Sequence, residues 1–200
     1  MLRRRLLQAL GIAACVLATY LMSSGAVVLA KAHLAQYLLE RAWQASKLGD
    51  PAKPWPGADT FPVAKLIIDK LNYSAVVLHG VTGEALAFGP GHMPGSAAPG
   101  ASGNSVIAGH RDSHFRKLEH IALGDLILIE TANAKKFRYR VYELAVVNQY
   151  ETAVLRSTDT SELTLITCYP FNAISAGGPL RYIVSAIKVD KHTARTGASN

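Results

Sequence analysis

The segment TLITCYP, residues 164–170, places a cysteine at the end of a run of β-branched and apolar residues. With a side-chain period of two, Thr164, Ile166 and Cys168 share one face of the predicted strand, and Thr167 lies on the other. Pro170 has no N–H for a strand ladder, so pairing is expected to stop near Cys168. The thiol is therefore predicted at a strand end, where loops form grooves and a nucleophile can meet a substrate.

A cysteine thiol is mostly protonated at neutral pH and needs a partner for its proton, usually a histidine. His110 follows a short apolar run in NSVIAGHRD, and Gly109 lets the backbone turn sharply before it. This predicts a rigid mount for His110 at a second strand end. His92 is the alternative partner, although it lies in a loop rich in glycine and proline.

Acyl transfer also needs a group that stabilises negative charge on the carbonyl oxygen of the substrate. Arg181 opens the apolar segment LRYIVSAIKV, where burying an arginine without a role would be costly. A surface ion pair is the alternative for Arg181. Asp112 could orient His110 from two positions away, but a solvated aspartate paired with Arg111 is the favoured interpretation.

An uncharged segment of 25 residues, Leu6–Ala30, follows three arginines at positions 3–5. Its length is sufficient for a membrane-spanning helix. Because positive charge resists translocation, the preceding end is expected in the cytoplasm and the bulk of the chain outside it. An uncleaved anchor is favoured over a cleaved signal peptide, whose apolar region usually has about 7–15 residues.

The two cysteines, Cys15 and Cys168, are not expected to pair, because Cys15 lies within the predicted membrane span. Exported domains normally pair their cysteines or lack them, since the outside of the cell is oxidising. A lone exported thiol therefore has two interpretations. It is either a small buried hydrophobe or a nucleophile.

The charge distribution argues against nucleic acid as a partner. The net charge is +7, but three basic residues precede the apolar segment, which leaves a net charge of +4 for residues 31–200. These basic residues are scattered and form no stripe interleaved with aromatic residues. The acidic residues are dispersed as well, so neither a metal nor another cofactor is expected.

Residues 31–47 carry apolar side chains at spacings of three and four, which predicts a helix. Four prolines and two glycines in residues 48–62 break the helix and form a connector. Beyond it, short apolar runs separated by turns predict an all-β barrel or sandwich, and SHFRKLEH at 113–120 predicts a helical turn. About eight strands are predicted, near Val63–Ile68, Ser74–Leu78, Ala85–Phe88, Asn104–Ala108, Asp125–Glu130, Lys135–Val147, Leu163–Cys168 and Arg181–Val189.

These motifs together resemble the sortase family. TLITC matches the sortase T-L-x-T-C signature, GHRDSHF resembles its G-H-R-x-x-x-F segment, and LRYIV resembles its arginine segment. The resemblance runs from about Pro62 to Val189. The N-terminal pieces AQYLLERAW and KPWPGADTFPVAKL resemble the sortases of Gram-negative bacteria.

The resemblance implies an eight-stranded sortase-type β-barrel and a cysteine transpeptidase with His110, Cys168 and Arg181 as catalytic residues. It further implies cleavage of an L-P-x-T-G-like C-terminal sorting signal between Thr and Gly, through a thioacyl-enzyme that an amine acceptor resolves. Thr167 and Asp112 are secondary site residues, because the side chain of Thr167 is predicted on the opposite face and Asp112 is favoured as a partner of Arg111.

The predicted organisation has a membrane anchor at 1–30, a helical stem and connector at 31–61, the catalytic barrel at 62–190 and a tail at 191–200. The chain is expected to cross the inner membrane once, contact membrane lipid through its N-terminal helix, and hold the barrel on the periplasmic side. Two alternatives are another exported Cys/His acyl-transfer enzyme of the L,D-transpeptidase type and a membrane-tethered β-domain that only binds partners. The Ser-His-Gly-Cys type motif of the L,D-transpeptidases is not matched by Leu165-Ile166-Thr167-Cys168.

Overall fold

The computed structural model describes residues 2–49, 51–175 and 177–189, and the tail predicted at 191–200 lies outside these residues. The strands of the described chain are β1 (Pro62–Ile68), β2 (Tyr73–His79), β3 (Gly91–His92), β4 (Gly103–Ala108), β5 (Leu126–Thr131), β6 (Lys136–Asn148), β7 (Ser161–Tyr169) and β8 (Leu180–Val189). They form a closed barrel in the order β1-β2-β3-β4-β7-β8-β6-β5. The prediction of a mainly β, eight-stranded barrel is confirmed.

The helical elements are α1 (Leu2–Ser46), α2 (Gly83–Phe88) and 3₁₀ helices at Asp69–Leu71, Arg116–His120 and Thr152–Leu155. The chain divides into two compact units, residues 1–38 and 39–200, so α1 contributes to both. In the first unit α1 exposes large apolar side chains such as Leu10 and Val16. By length and composition alone, α1 is long and apolar enough to cross a membrane.

In the second unit, the end of α1 is part of the packed barrel domain. Leu39, Ala42 and Trp43 are buried, at the helical spacing of three and four that the sequence predicts. Glu40 on the same turn forms an ion pair with Lys65 of β1, with 3.0 Å between the ammonium and the carboxylate. This last part of the helix is therefore fixed to the barrel by both apolar burial and charge.

The barrel core is built from the inward-facing positions of each strand. β1 shows the period of two clearly, because Ala64, Leu66 and Ile68 are fully buried while the residues between them are partly exposed. Leu163 and Leu165 of β7 enter the same core cluster. The odd-numbered positions of β7 thus face inward, and the even-numbered positions face out of the barrel.

One predicted strand is wrong. Residues 85–88 belong to the short helix α2, because Thr82 caps its start by accepting a hydrogen bond from the N–H of Ala85 at 3.3 Å. The third strand is instead β3, which lies in the glycine- and proline-rich segment around His92 that the sequence predicts as a loop. Gly91 makes that strand possible, since a Cβ on it would lie 2.1 Å from the carbonyl oxygen of Gly80.

The strand pairings around β7 determine which chain segments meet at one end of the barrel. β7 runs parallel to β4 on one side and antiparallel to β8 on the other. The end of β4, the end of β7 and the start of β8 therefore lie next to one another. The helical turn predicted at 113–120 is present as the 3₁₀ helix Arg116–His120, which follows β4 at this end.

Candidate active site

Cys168 lies one residue before the end of β7 and is half-buried, with a free thiol. Its neighbours along the strand, Thr167 and Tyr169, take the opposite face. Cys168 therefore points out of the barrel with Ile166 rather than into the core with Leu165. The structure thus places the sulfur on the outer face of the sheet, where it is partly accessible to solvent.

Arg181 is the direct cross-strand partner of Cys168 in the antiparallel pairing of β7 with β8. Directly opposed residues of an antiparallel pair project to the same face of the sheet, with Cβ atoms about 4.5–5.5 Å apart. The guanidinium and the thiol therefore share one face of the barrel. This pairing of residues 13 positions apart in the sequence follows from the register of the two strands.

His110 comes second after the end of β4, whose last residue Ala108 pairs with Ile166 of β7. The N–H of Gly109 donates to the carbonyl oxygen of Ile166 at 3.0 Å, so the chain still follows β7 at that point. Continuing the parallel register brings His110 alongside Cys168. The imidazole is exposed, which leaves it free to exchange protons with a bound substrate.

Gly109 is required at this turn because the ring of Phe115 packs directly against it. A Cβ on residue 109 would lie 2.8 Å from the ring of Phe115. Phe115 is fully buried in the barrel core, so the ring cannot move away. The backbone at Gly109 and His110 is thus held between the barrel core and β7.

Thr167 has a defined structural contact at the same turn. Its buried hydroxyl donates to the carbonyl oxygen of Gly109 at 2.8 Å. As the alternation predicts, its side chain lies on the face opposite Cys168. Thr167 therefore fixes the peptide unit that immediately precedes His110.

Arg181 is held in place by three hydrogen bonds. Its Nη1 donates to the carbonyl oxygens of Gly178 at 2.7 Å and Leu180 at 2.9 Å, and its Nη2 donates to Oε1 of Gln149 at 3.0 Å. Gln149 also donates its backbone N–H to the carbonyl oxygen of Pro179. Gln149 is not recognisable as a site residue from the sequence, because a glutamine just beyond a long strand carries no signal of its own.

Asp112 is exposed and accepts a hydrogen bond at 2.8 Å from Nε of Arg111, which is the pairing the sequence analysis favoured. The Arg111 guanidinium that donates to Asp112 holds the pKa of that carboxyl below its usual range. Arg111 itself is almost fully buried, although its partner Asp112 is exposed.

The other histidines near the site are engaged or buried. Nε2 of His92 lies 2.9 Å from the carbonyl oxygen of Ala97 and 3.1 Å from the hydroxyl of Ser96, and burial lowers the pKa of His92. His114 is half-buried, and burial lowers its pKa too. This geometry favours His110 over His92 as the proton-transfer partner.

The site brings together a thiol, an exposed imidazole and a planar cation, which are the groups that cysteine acyl transfer requires. Among the described residues, no cluster of three or more His, Cys, Asp or Glu side chains is arranged to hold a metal ion. A closed β-barrel that carries these three groups is the arrangement expected of a cysteine acyltransferase.

Comparison with known proteins gives the family. The Sortase domain model matches residues 66–189. The chain is 30% identical over 125 residues to Sortase D of Bacillus subtilis (strain 168), a match that spans 62% of each protein. The chain belongs to the sortase family, whose members are cysteine transpeptidases. Family membership argues against both alternatives, an enzyme of the L,D-transpeptidase type and a domain that only binds partners.

Solved structures agree with this assignment. A sortase D5 transpeptidase of Clostridium perfringens is similar with a TM-score of 0.64 and 27% identity, over 79% of this chain and 99% of that one. Sortase C-1 of Actinomyces oris is similar with a TM-score of 0.59 and 30% identity, over 64% of this chain and 75% of that one. Both comparisons support the barrel as the shared structural unit.

Proposed function

We propose that this protein is a membrane-anchored sortase that cleaves an L-P-x-T-G-like C-terminal sorting signal between Thr and Gly and transfers the protein to an amine acceptor. The observation that carries the proposal is the register around β7. Cys168 pairs with Arg181 of β8, and His110 follows the end of β4, which runs parallel to β7, so three separate parts of the chain supply the proposed site. Family membership supplies the reaction class.

In the first half of the reaction, the thiolate of Cys168 attacks the carbonyl carbon of the substrate threonine. Negative charge develops on the carbonyl oxygen, and N–H groups of Arg181 donate to it. When the Thr–Gly C–N bond breaks, the imidazolium of His110 gives its proton to the departing amine. The products are a thioester on Cys168 and a peptide with a free N-terminal glycine.

In the second half, an acceptor amine attacks the thioester. The neutral imidazole of His110 takes the proton that the attacking nitrogen loses as the new amide bond forms. The thiolate of Cys168 leaves readily, because sulfur is a better leaving group than the amide nitrogen that would otherwise depart. The enzyme is regenerated, and the substrate protein is now joined to the acceptor.

A peptide assay with the full chain in detergent tests this proposal. A peptide containing L-P-x-T-G is expected to be cut between Thr and Gly, and withholding the amine should leave the N-terminal fragment attached to Cys168, detectable by intact mass and peptide mapping. A peptide of the same composition in scrambled order is the control. Cleavage at another bond, or turnover without an adduct on Cys168, would refute the proposed reaction.

The proposed location is the inner membrane, crossed once by the segment Leu6–Ala30, with the barrel on the periplasmic side. The three preceding arginines and the apolar helix support this, and the N-terminal motifs support the Gram-negative subgroup. The relatives compared above are sortases of Gram-positive bacteria, so both the subgroup and a two-membrane envelope belong to the proposal.

A reporter enzyme that is active only in the periplasm tests this topology. Fusing it after Val189 is expected to give activity, because the anchor exports everything that follows it. The same reporter fused after Arg5 is the matched control and is expected to be silent. An active cytoplasmic reporter at Val189 would overturn the proposed orientation.

A further inference from the structure

Arg111 is a buried arginine immediately after His110, with only 2% of its side chain exposed. Removing a guanidinium from water costs several kcal/mol, on the order of the whole stability of many domains, unless its N–H groups find partners. The sequence places this residue in a polar loop, where an exposed side chain would be expected. The burial of Arg111 therefore requires hydrogen-bond partners that offset the lost contact with water.

The partners of Arg111 explain the burial. Nη1 donates to the carbonyl oxygen of Pro170 at 2.9 Å, and Nη2 donates to the carbonyl oxygens of Ala173 at 3.3 Å and Ser175 at 3.1 Å. Nε of Arg111 donates to Oδ1 of Asp112. All three carbonyls belong to the segment that leaves the barrel just after Cys168.

We infer that Arg111 is a positioning residue that latches residues 170–175 to the turn carrying His110. One rigid, planar side chain holds three carbonyls of a connection that has no strand partner of its own. Only a guanidinium matches this geometry, because its donors are fixed in a fork while an ammonium is a single point of charge. The latch holds residues 170–175 in a fixed position relative to the turn that carries His110.

The latch also explains the position of Ile174. Its side chain is fully exposed, although it is a large apolar residue. The carbonyls on either side of it, from Ala173 and Ser175, are both bound by Arg111. The backbone is thus bound to Arg111 on both sides of Ile174, while the side chain of Ile174 is exposed to solvent.

The inference is that this loop presents Ile174 to the bound sorting peptide as an apolar contact. Apolar residues of an L-P-x-T-G-like signal suit such a contact, whereas an acceptor amine does not. This part rests on the proposed function. The latch itself does not, because it can be observed without any substrate.

The experiment compares Arg111→Lys and Ile174→Ser with the unmodified full chain in detergent. Arg111→Lys is expected to raise the KM for the sorting peptide about tenfold with a smaller change in kcat per labelled Cys168, since residues 170–175 are displaced while the nucleophile remains. Ile174→Ser is expected to raise the same KM several-fold without changing the KM for the amine. Arg138→Lys and Leu123→Ser, exposed positions outside the site, are the matched controls.

Hydrogen exchange gives a readout that needs no activity. The amide of Ala173, which donates to the carbonyl oxygen of Pro170, is expected to exchange at least about tenfold faster in Arg111→Lys, because the loop opens locally, and to be unchanged in Ile174→Ser. Unchanged exchange in Arg111→Lys would refute the latch even if the enzyme is active. If the sorting peptide is not turned over by the unmodified protein, the proposed function fails while the exchange result still decides the latch.

A global folding defect would give a different pattern. It would reduce kcat in proportion to the fraction of folded protein and leave KM unchanged. Should Arg111→Lys fail to fold, Ile174→Ser still decides the substrate contact, since an exposed side chain has no packing to lose. An effect of Ile174→Ser on the KM for the amine alone would overturn the assignment of that contact to the sorting peptide.

Discussion

Replacing Cys168 by alanine is expected to abolish cleavage of the sorting peptide, lowering kcat by at least about 10⁴-fold. Without the sulfur no thioacyl-enzyme can form, and the remaining groups only orient and polarise the substrate. The fold should persist, because Cys168 is half-buried on the outer face of β7 and removing one sulfur atom opens no core cavity. Turnover is measured with the peptide assay, and folding by thermal unfolding.

The chain offers a matched control, because Cys15 is the other free cysteine. Cys15→Ala is expected to retain full activity and to keep one reactive thiol toward a small electrophile in the folded protein. In Cys168→Ala that labelling in the barrel should disappear. Equal turnover in Cys168→Ala and the unmodified protein, or a folded barrel whose Cys168 ignores the electrophile, would contradict the assigned nucleophile.

Arg181→Lys is expected to lower kcat/KM about 10²–10³-fold, the loss usually seen when one oxyanion donor is removed. The guanidinium donates to Gly178 and Leu180 on one side and to Gln149 on the other, so it is held in a fixed orientation beside Cys168. A lysine keeps the charge but cannot hold several acceptors in one plane. Steady-state kinetics with the sorting peptide measure the loss.

The control for charge and length is Arg140→Lys, an exposed position on β6 that pairs with Ile187, toward the opposite end of β8. It is expected to leave kcat/KM unchanged. If Arg181→Lys also leaves kcat/KM unchanged, or if both variants lose activity equally, Arg181 has no special role in the reaction. Thermal unfolding of both variants separates a lost contact from a lost fold.

The barrel was predictable because local patterns persist along each strand. Alternation in β1 identifies the buried face of that strand, and Pro170 identifies where β7 must end. Residues 85–88 are the exception. Residues 85–88 have the apolar character of a strand, but the cap from Thr82 and the short length of the segment favour a helix.

The true third strand could not have been recognised from its sequence. β3 has only two residues, Gly91 and His92, and two residues show no periodicity. It exists because β2 and β4 on either side present unpaired backbone groups to it. The glycine that permits the close approach to Gly80 has the same residue type as the turn glycines around it.

The sequence alone was enough to predict the candidate chemical groups: a strand-end thiol in TLITC, a histidine after a second strand, and an arginine that opens a third. Side-chain identity and strand termini are local properties, so they can be read without coordinates. Only the tertiary structure decided that these groups share one face, because the parallel register of β4 with β7 joins residues 58 positions apart. It also decided the latch, since the carbonyls that bury Arg111 lie about 60 residues from it, at positions that no local pattern connects.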